Sequence, residues 1–317
     1  MSEQANQPNW ERATIEKVLL EHIREQKRRR RWGIFFKLAI LILIVYIIWS
    51  GMQGVEHVTH KKRQQHSALI DIRGGLFDGS ESNADTIANS LRNAFEDKGT
   101  RGIILRINSP GGSPVQASYV FNEIMRLKKL HPDIKVYAVC SDICASAAYY
   151  IASASDKIYA NPSSLVGSIG VMFNGFGFVD AMDKLGIQRR LFTAGARKDF
   201  MDPFLPLNPA DAQFIQQLLR TTHQQFIDNV KQGRGNRLVN NPDLFSGLVW
   251  SGVQAKQLGL IDDFGSAGYV AREVIKQENI VDYTDKPNVF NQITKRFGAS
   301  VANTTLTRLG VSDTPLR

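Results

Sequence analysis

A nearly unbroken apolar run at residues 32–52, WGIFFKLAILILIVYIIWSGM, sets the first limit on how this chain can fold. A helix of about 20 residues crosses the ~30 Å hydrocarbon layer of a bilayer, and the run has that length. Its one charge, Lys37, lies near the start, where a long stem can snorkel to the headgroups. Trp32, Tyr46 and Trp49 lie towards the ends, as interfacial aromatics do. A cleaved signal peptide fits poorly, because residues 1–31 are mostly polar and no A-x-A-like site follows. No face of the run is polar enough to meet water, which also sets aside a core helix. The run is read as one N-terminal transmembrane helix.

The flanks orient it. Lys17, Arg24, Lys27 and Arg28 to Arg31 precede the span, against Lys61, Lys62 and Arg63 after it. The heavier basic flank marks the cytoplasmic side, so residues 1–31 form a basic cytoplasmic tail and the rest of the chain lies beyond the membrane. The same distribution explains the net charge of +9 without nucleic acid: much of the excess brackets an apolar segment and forms no phosphate-binding face. With 43% hydrophobic and 22% charged residues, the chain as a whole has the composition of an ordinary globular protein, so most of it should bury a core. The two cysteines, Cys140 and Cys144, have no metal-ligand or haem spacing and are read as small buried hydrophobes, with a disulfide left open.

After a charged linker at 53–66, strand and helix patterns alternate. Strands are expected at 67–74, 101–109, 134–140, 156–161 and 187–193. Helices are expected at 84–98, 115–130, 145–154, 178–185 and 209–231. RGIILRINS has the continuous apolar centre of a strand buried on both faces. Short connections between alternating elements imply an α/β domain with mostly parallel strands and right-handed crossovers. The domain is expected to span 67–281, with a loosely ordered tail at 282–317.

Two places can carry chemistry. NSPGGS, Asn108 to Ser113, reads as a turn after the apolar strand, where glycines admit a ligand to the backbone or merely satisfy dihedral angles. In CSDICASAAYYIASAS, Ser146 falls at the start of a helix of small residues. There a hydroxyl can act as a nucleophile aided by free N–H groups, although position alone favours a simple N-cap. A nucleophilic serine needs a base, and none of the six histidines occupies an obvious strand end: His22, His57, His60, His66, His131 or His223. Lysine substitutes where burial lowers its pKa, and Lys198 lies in a loop with apolar neighbours, TAGARKDFMDPF. A lone lysine is by default a surface residue.

Taken together, INSPGGS, the serine in ASAAYYIA, NPSSLVGSIGV, the lysine in KDFMDP and the late WSGVQAKQLGLIDDFG resemble the signal peptide peptidase A family of serine peptidases, in the same order. The resemblance covers residues 67 to 275. It implies a ClpP/crotonase-like domain and a Ser/Lys dyad that uses no cofactor or metal. By matching position, Ser146 is the nucleophile, Lys198 the general base and Ser168 the residue that orients the lysine. Gly112 and Ala147 match the N–H donors of the oxyanion hole. Ala147-Ala148 replaces the Gly-Gly usual after the nucleophile, which is acceptable only if Ala147 keeps φ below zero. The implied substrates are signal-peptide remnants and other hydrophobic peptides beside membrane lipid. The implied assembly is a homo-oligomeric ring, of about eight copies, with the dyad completed between protomers. A crotonase-like acyl-CoA enzyme is the rival chemistry, and a non-catalytic membrane scaffold of the same fold is the rival function.

Overall fold

The computed structural model describes residues 64–285 continuously, and residues 17, 24, 26–43 and 46 nearer the N-terminus. The latter belong to a separate unit, residues 1–63. Within it, residues 26–43 are helical, and Trp32, Phe35, Phe36 and Ile42 are exposed. The rest of the expected span, most of the linker and the tail beyond Asp285 lie outside the described residues. Among the described residues no helix is long and apolar enough to cross a membrane.

The second unit is an eight-stranded mixed sheet with helices on its faces. β1 (His66–Leu76), β2 (Thr100–Gly112) and β3 (Lys135–Ala145) pair in parallel at its centre. They alternate with α1 (Ala84–Glu96) and α2 (Pro114–Leu130). On β2, Ile103, Leu105 and Ile107 face the main core with α1 and α2, while Ile104 faces a smaller cluster on the other side with Val270 and Ala271. This is the two-faced burial that a continuous apolar strand predicts. Side-chain caps set helix starts: Asn83 Oδ1 accepts from the Thr86 N–H at 3.0 Å, so α1 begins at Ala84.

β3 serves two neighbours in succession. Its first half pairs with β4 (Lys157–Ala160) and its second half with β5 (Leu165–Gly167). Between the halves it bulges: Cys140 lies opposite Ile107 and Cys144 opposite Ser109, so four residues of β3 match two of β2. Both cysteines are buried free thiols, and burial, with the neighbouring Cys140, pushes the Cys144 thiol up. The sheet is completed by the short strands β6 (Val249–Ser251), antiparallel to β5, β7 (Asp263–Phe264), beside β4, and β8 (Ile280–Asp282), beside β1.

Four expectations need correction. NSPGGS is no turn: β2 runs on through Gly112, after a register shift, with Gly75 and Leu76 opposite Gly111 and Gly112. Residues 187–193 form no strand; Ile187 and Phe192 are exposed and no neighbouring strand offers the segment hydrogen bonds. The helix expected at 209–231 extends three residues further, as α5 (Pro209–Arg234), after the short α4 (Val179–Leu185). The domain also does not stop at residue 281. The Tyr283 N–H donates to the Leu69 carbonyl at 2.8 Å, Tyr283 Oη donates to Asp97 at 2.9 Å, and the Asp285 N–H donates to Ser90 Oγ at 2.9 Å. These bonds tie the chain to β1 and α1 at least as far as Asp285.

Candidate active site

Ser146 sits where β3 ends and the short helix α3 (Ala147–Ser153) begins. Its dihedrals, φ 54° and ψ −126°, fall outside the helical and extended regions. A non-glycine residue held there costs about 1–3 kcal/mol, so the surroundings must impose it. They do so through the backbone. The Ser146 N–H donates to the Gly167 carbonyl at 2.8 Å, and the Ser146 carbonyl accepts from the Tyr150 N–H at 3.0 Å. Its hydroxyl makes no capping bond to the helix it precedes. The simple N-cap reading therefore fails, and a half-buried hydroxyl is left uncommitted to the helix.

The helix behind the serine is buried along its whole length, from Ala147 to Ser153. Tyr149 Oη donates to the Leu260 carbonyl at 2.7 Å, and burial pushes its phenol well above the usual range. Tyr150 stacks on Phe226 of α5 with ring centroids 4.7 Å apart. Small side chains are required at the front of α3. Ala147 is only 3% exposed and its φ is not positive, which is the condition under which alanine can stand for glycine.

The glycine pair at the end of β2 closes on this corner. A Cβ added to Gly111 would lie 2.7 Å from Ser146 Cβ, 2.8 Å from the Ala145 carbonyl oxygen and 3.0 Å from the Ala147 nitrogen. Its φ of 107° also favours glycine. Gly112 is packed the other way, with an added Cβ only 2.3 Å from the Leu76 carbonyl oxygen on β1. The Gly111 N–H is taken by Ser109 Oγ at 3.1 Å. Gly111, which sequence reasoning passed over for Gly112, is thus the glycine whose vacant Cβ position faces the serine. The G-G pair was visible, but which member faced Ser146 depended on how the end of β2 packs against the end of β3.

Ser168 follows Gly167, whose carbonyl anchors Ser146. It too has a positive φ, 53°, and its N–H donates to the Leu248 carbonyl at 2.7 Å. One residue on, the Ile169 carbonyl accepts from Nε2 of His223 at 3.0 Å. His223, set aside in the sequence as a mid-helix residue, supports the turn that carries Ser168. Nothing local in its sequence could have revealed that contact.

Lys198 lies apart from this group. It is exposed, on a turn in which its N–H donates to the Gly195 carbonyl at 3.2 Å. Within the chain no hydrogen bond joins it to Ser146 or Ser168. The structure therefore brings together Ser146, Gly111, Gly112, Ala147 and Ser168, and presents Lys198 outward from the same chain.

The profile of peptidase family S49 matches residues 128–281, which include both Ser146 and Lys198. A protein of Enterococcus faecium named "Putative signal peptide peptidase SppA" is 31% identical over 233 residues, covering 73% of this chain and 67% of that protein. Protease 4 of Haemophilus influenzae is 30% identical over 215 residues, covering 67% of this chain and 34% of that one. A Brucella melitensis protein named Na(+)/H(+) antiporter NhaA is 42% identical over 202 residues, 62% of this chain, but the chain spans only 27% of that protein's length. The chain belongs to the signal peptide peptidase A family, peptidase family S49.

Proposed function

We propose that the protein is a membrane-anchored serine endopeptidase with a Ser146/Lys198 dyad, acting on cleaved signal peptides and other hydrophobic peptides. The observation that carries this reading is the conformation of Ser146: strained, held by its backbone, and not used as a cap. Strain of that kind persists where the surroundings over-determine it, and it gathers at catalytic residues.

In the proposed reaction the neutral amine of Lys198 takes the proton of the Ser146 hydroxyl as Oγ attacks the peptide carbonyl carbon. The N–H groups of Gly112 and Ala147 hold the oxyanion; the Gly111 N–H, already donated to Ser109, is not free for it. The lysine returns the proton to the leaving amine, and water then hydrolyses the acyl ester. Ser168 orients the lysine.

A copy of the chain completes each site in this proposal. From residue 171 to residue 208 no side chain is buried, and Phe192 is 92% exposed, Met172 77% and Phe176 76%. Apolar surface on that scale favours association, and a neighbouring copy that covers Lys198 would exclude water from the amine, the condition for a neutral base. In the proposed assembly this contact is heterologous, one chain supplying the lysine and the next the serine, and it closes into a ring. The apolar run at 32–52 anchors the ring in the inner membrane, N-terminus inside, with the catalytic domain beyond it.

Separate Ser146→Ala and Lys198→Ala variants of the full chain test the dyad on an apolar peptide ester. Each should lose on the order of 10⁶-fold in kcat, as when a serine hydrolase loses its nucleophile or base. Full activity in either variant removes the dyad.

A further inference from the structure

We infer that Asp211, with Phe214 beside it, is the positioning element for Lys198. The inference rests on the reading of Lys198 as the base and names what holds that base in place. The turn that carries Lys198 belongs to a segment with little structure of its own. Of residues 171–208 only α4 is regular, and none is buried. A side chain that must meet a hydroxyl within hydrogen-bond reach cannot be left to such a segment unless something fixes it.

Two contacts do so, one on each side of the lysine. The Arg197 guanidinium donates to Oδ1 of Asp211. Two residues after the lysine, Phe200 meets Phe214 edge-on, with ring centroids 5.6 Å apart and planes at 88°. Asp211 and Phe214 are three residues apart on α5 and so share one face of it. The residues flanking Lys198 are thus fastened to the first turns of the longest helix of the domain, while the Lys198 side chain bonds to none of the described residues and stays exposed.

The character of the anchor supports the assignment. Asp211 is only 6% exposed, the sole buried residue among positions 171–225, whereas the side chain of its partner Arg197 is half exposed. Among the described residues Arg197 is its one ion-pair partner. A buried carboxylate with a single cationic partner is costly to orphan, so its geometry is enforced. The helix start is also fixed, since Asn208 Oδ1 accepts from the Ala210 N–H at 2.9 Å and Pro209 occupies the first turn. Met201, in the same turn as the lysine, is held at φ 55°, so the turn is set against its own backbone preference. Further along the same helix, Phe226 stacks on Tyr150 behind the serine and His223 holds the Ile169 carbonyl beside Ser168. One helix therefore carries supports both for the Ser146 that a chain gives to one site and for the Lys198 that it gives to a neighbouring site.

Steady-state kinetics on the full-length protein with an apolar peptide ester test this, with Asp211→Asn, Arg197→Gln, the exchange Arg197→Asp with Asp211→Arg, and Lys198→Ala as reference. Asp211→Asn and Arg197→Gln should each lower kcat by about 10²-fold with KM little changed, as expected of a misplaced base. The exchange should restore about tenfold of that loss. If Lys198→Ala is inactive while Arg197→Gln keeps full kcat, the positioning role of the pair is overturned and the dyad stands. If Lys198→Ala keeps full activity, the dyad itself falls, and the role assigned to Asp211 with it. Arg197 is on the surface, so its variant is informative even if the buried Asp211→Asn fails to fold. An equal loss in kcat and in soluble, folded yield, without rescue by the exchange, makes the pair structural only and also overturns the inference.

Discussion

The sheet that carries Ser146 and the segment that carries Lys198 are built on opposite principles. Along the strands that lead to the serine, Ile103, Leu105, Ile107 and Cys144 are buried, as is Ala148 behind it, and its strained backbone is held by strands on either side of β3. From 171 to 208 the apolar side chains face outward, and the segment is tied down by a few contacts: Arg189 to Asp202, the Phe178 N–H to the Pro203 carbonyl, and the anchors on α5. A packed interior can impose an unfavourable φ on one residue because its neighbours cannot yield. An exposed segment cannot do that alone, and it gains by docking. The two regions divide the labour between a rigid nucleophile and a base delivered from a surface.

The sharpest way to break that contrast is to disturb the rigid side. Gly111→Ala places a methyl 2.7 Å from Ser146 Cβ, against backbone that has nowhere to move. We expect about 10²-fold loss of kcat from displacement of the serine, and about 1–3 kcal/mol loss of stability from overpacking. Peptide-ester kinetics and denaturant melts read both; wild-type activity in this variant would mean that the corner is not rigid.

A smaller effect is expected from the exposed side. Phe192→Asp should leave the fold of the isolated chain intact, because the ring is already solvent-exposed. It should weaken self-association by about 2 kcal/mol per interface, the order of one buried aromatic. Sedimentation across a dilution series measures this, and an unchanged assembly mass would take Phe192 out of the interface.

The smallest effect belongs to a surface pair within the rigid region. The Arg126 guanidinium holds the Glu123 carboxyl down to about 2, with help from Arg92 across on α1 and against the opposing effect of burial. A carboxylate with a depressed pKa contributes stability above its unfolded value of 4.5 and loses it as pH falls through about 2. Glu123→Gln should therefore lower the melting temperature near pH 6 by about 2 °C or less and leave it unchanged near pH 2. Thermal melts across that range would reveal the opposite trend if the pair opposed folding.

Much of the frame was legible before any coordinates. The doubly apolar RGIILRINS and the helical spacing of Val115, Val120, Phe121, Ile124 and Leu127 follow from local pattern, because burial on two faces or one stripe is written into residue order; of that stripe only Val115, in the first turn of α2, is exposed. The strand proposed at 187–193 failed for the complementary reason. Its pattern suits a strand, but a strand needs a neighbour, and no neighbour is encoded in those seven residues.

The sequence by itself determined the order of β1 to β4 with the helices between them, and so the parallel centre of the sheet, since these depend on side-chain type and spacing along a few turns or strands; the candidate reactive groups came from the order of its motifs, and the short strands β5 to β8 left no such pattern. Only the tertiary structure decided that Gly111 rather than Gly112 faces the serine, that His223 supports the Ser168 turn, and that Asp211 and Phe214 fasten the turn of Lys198. Each of those facts is a contact between residues distant in the chain, or a register between strands. Such contacts are fixed by how whole surfaces fit together and leave no periodic mark in the residues that make them.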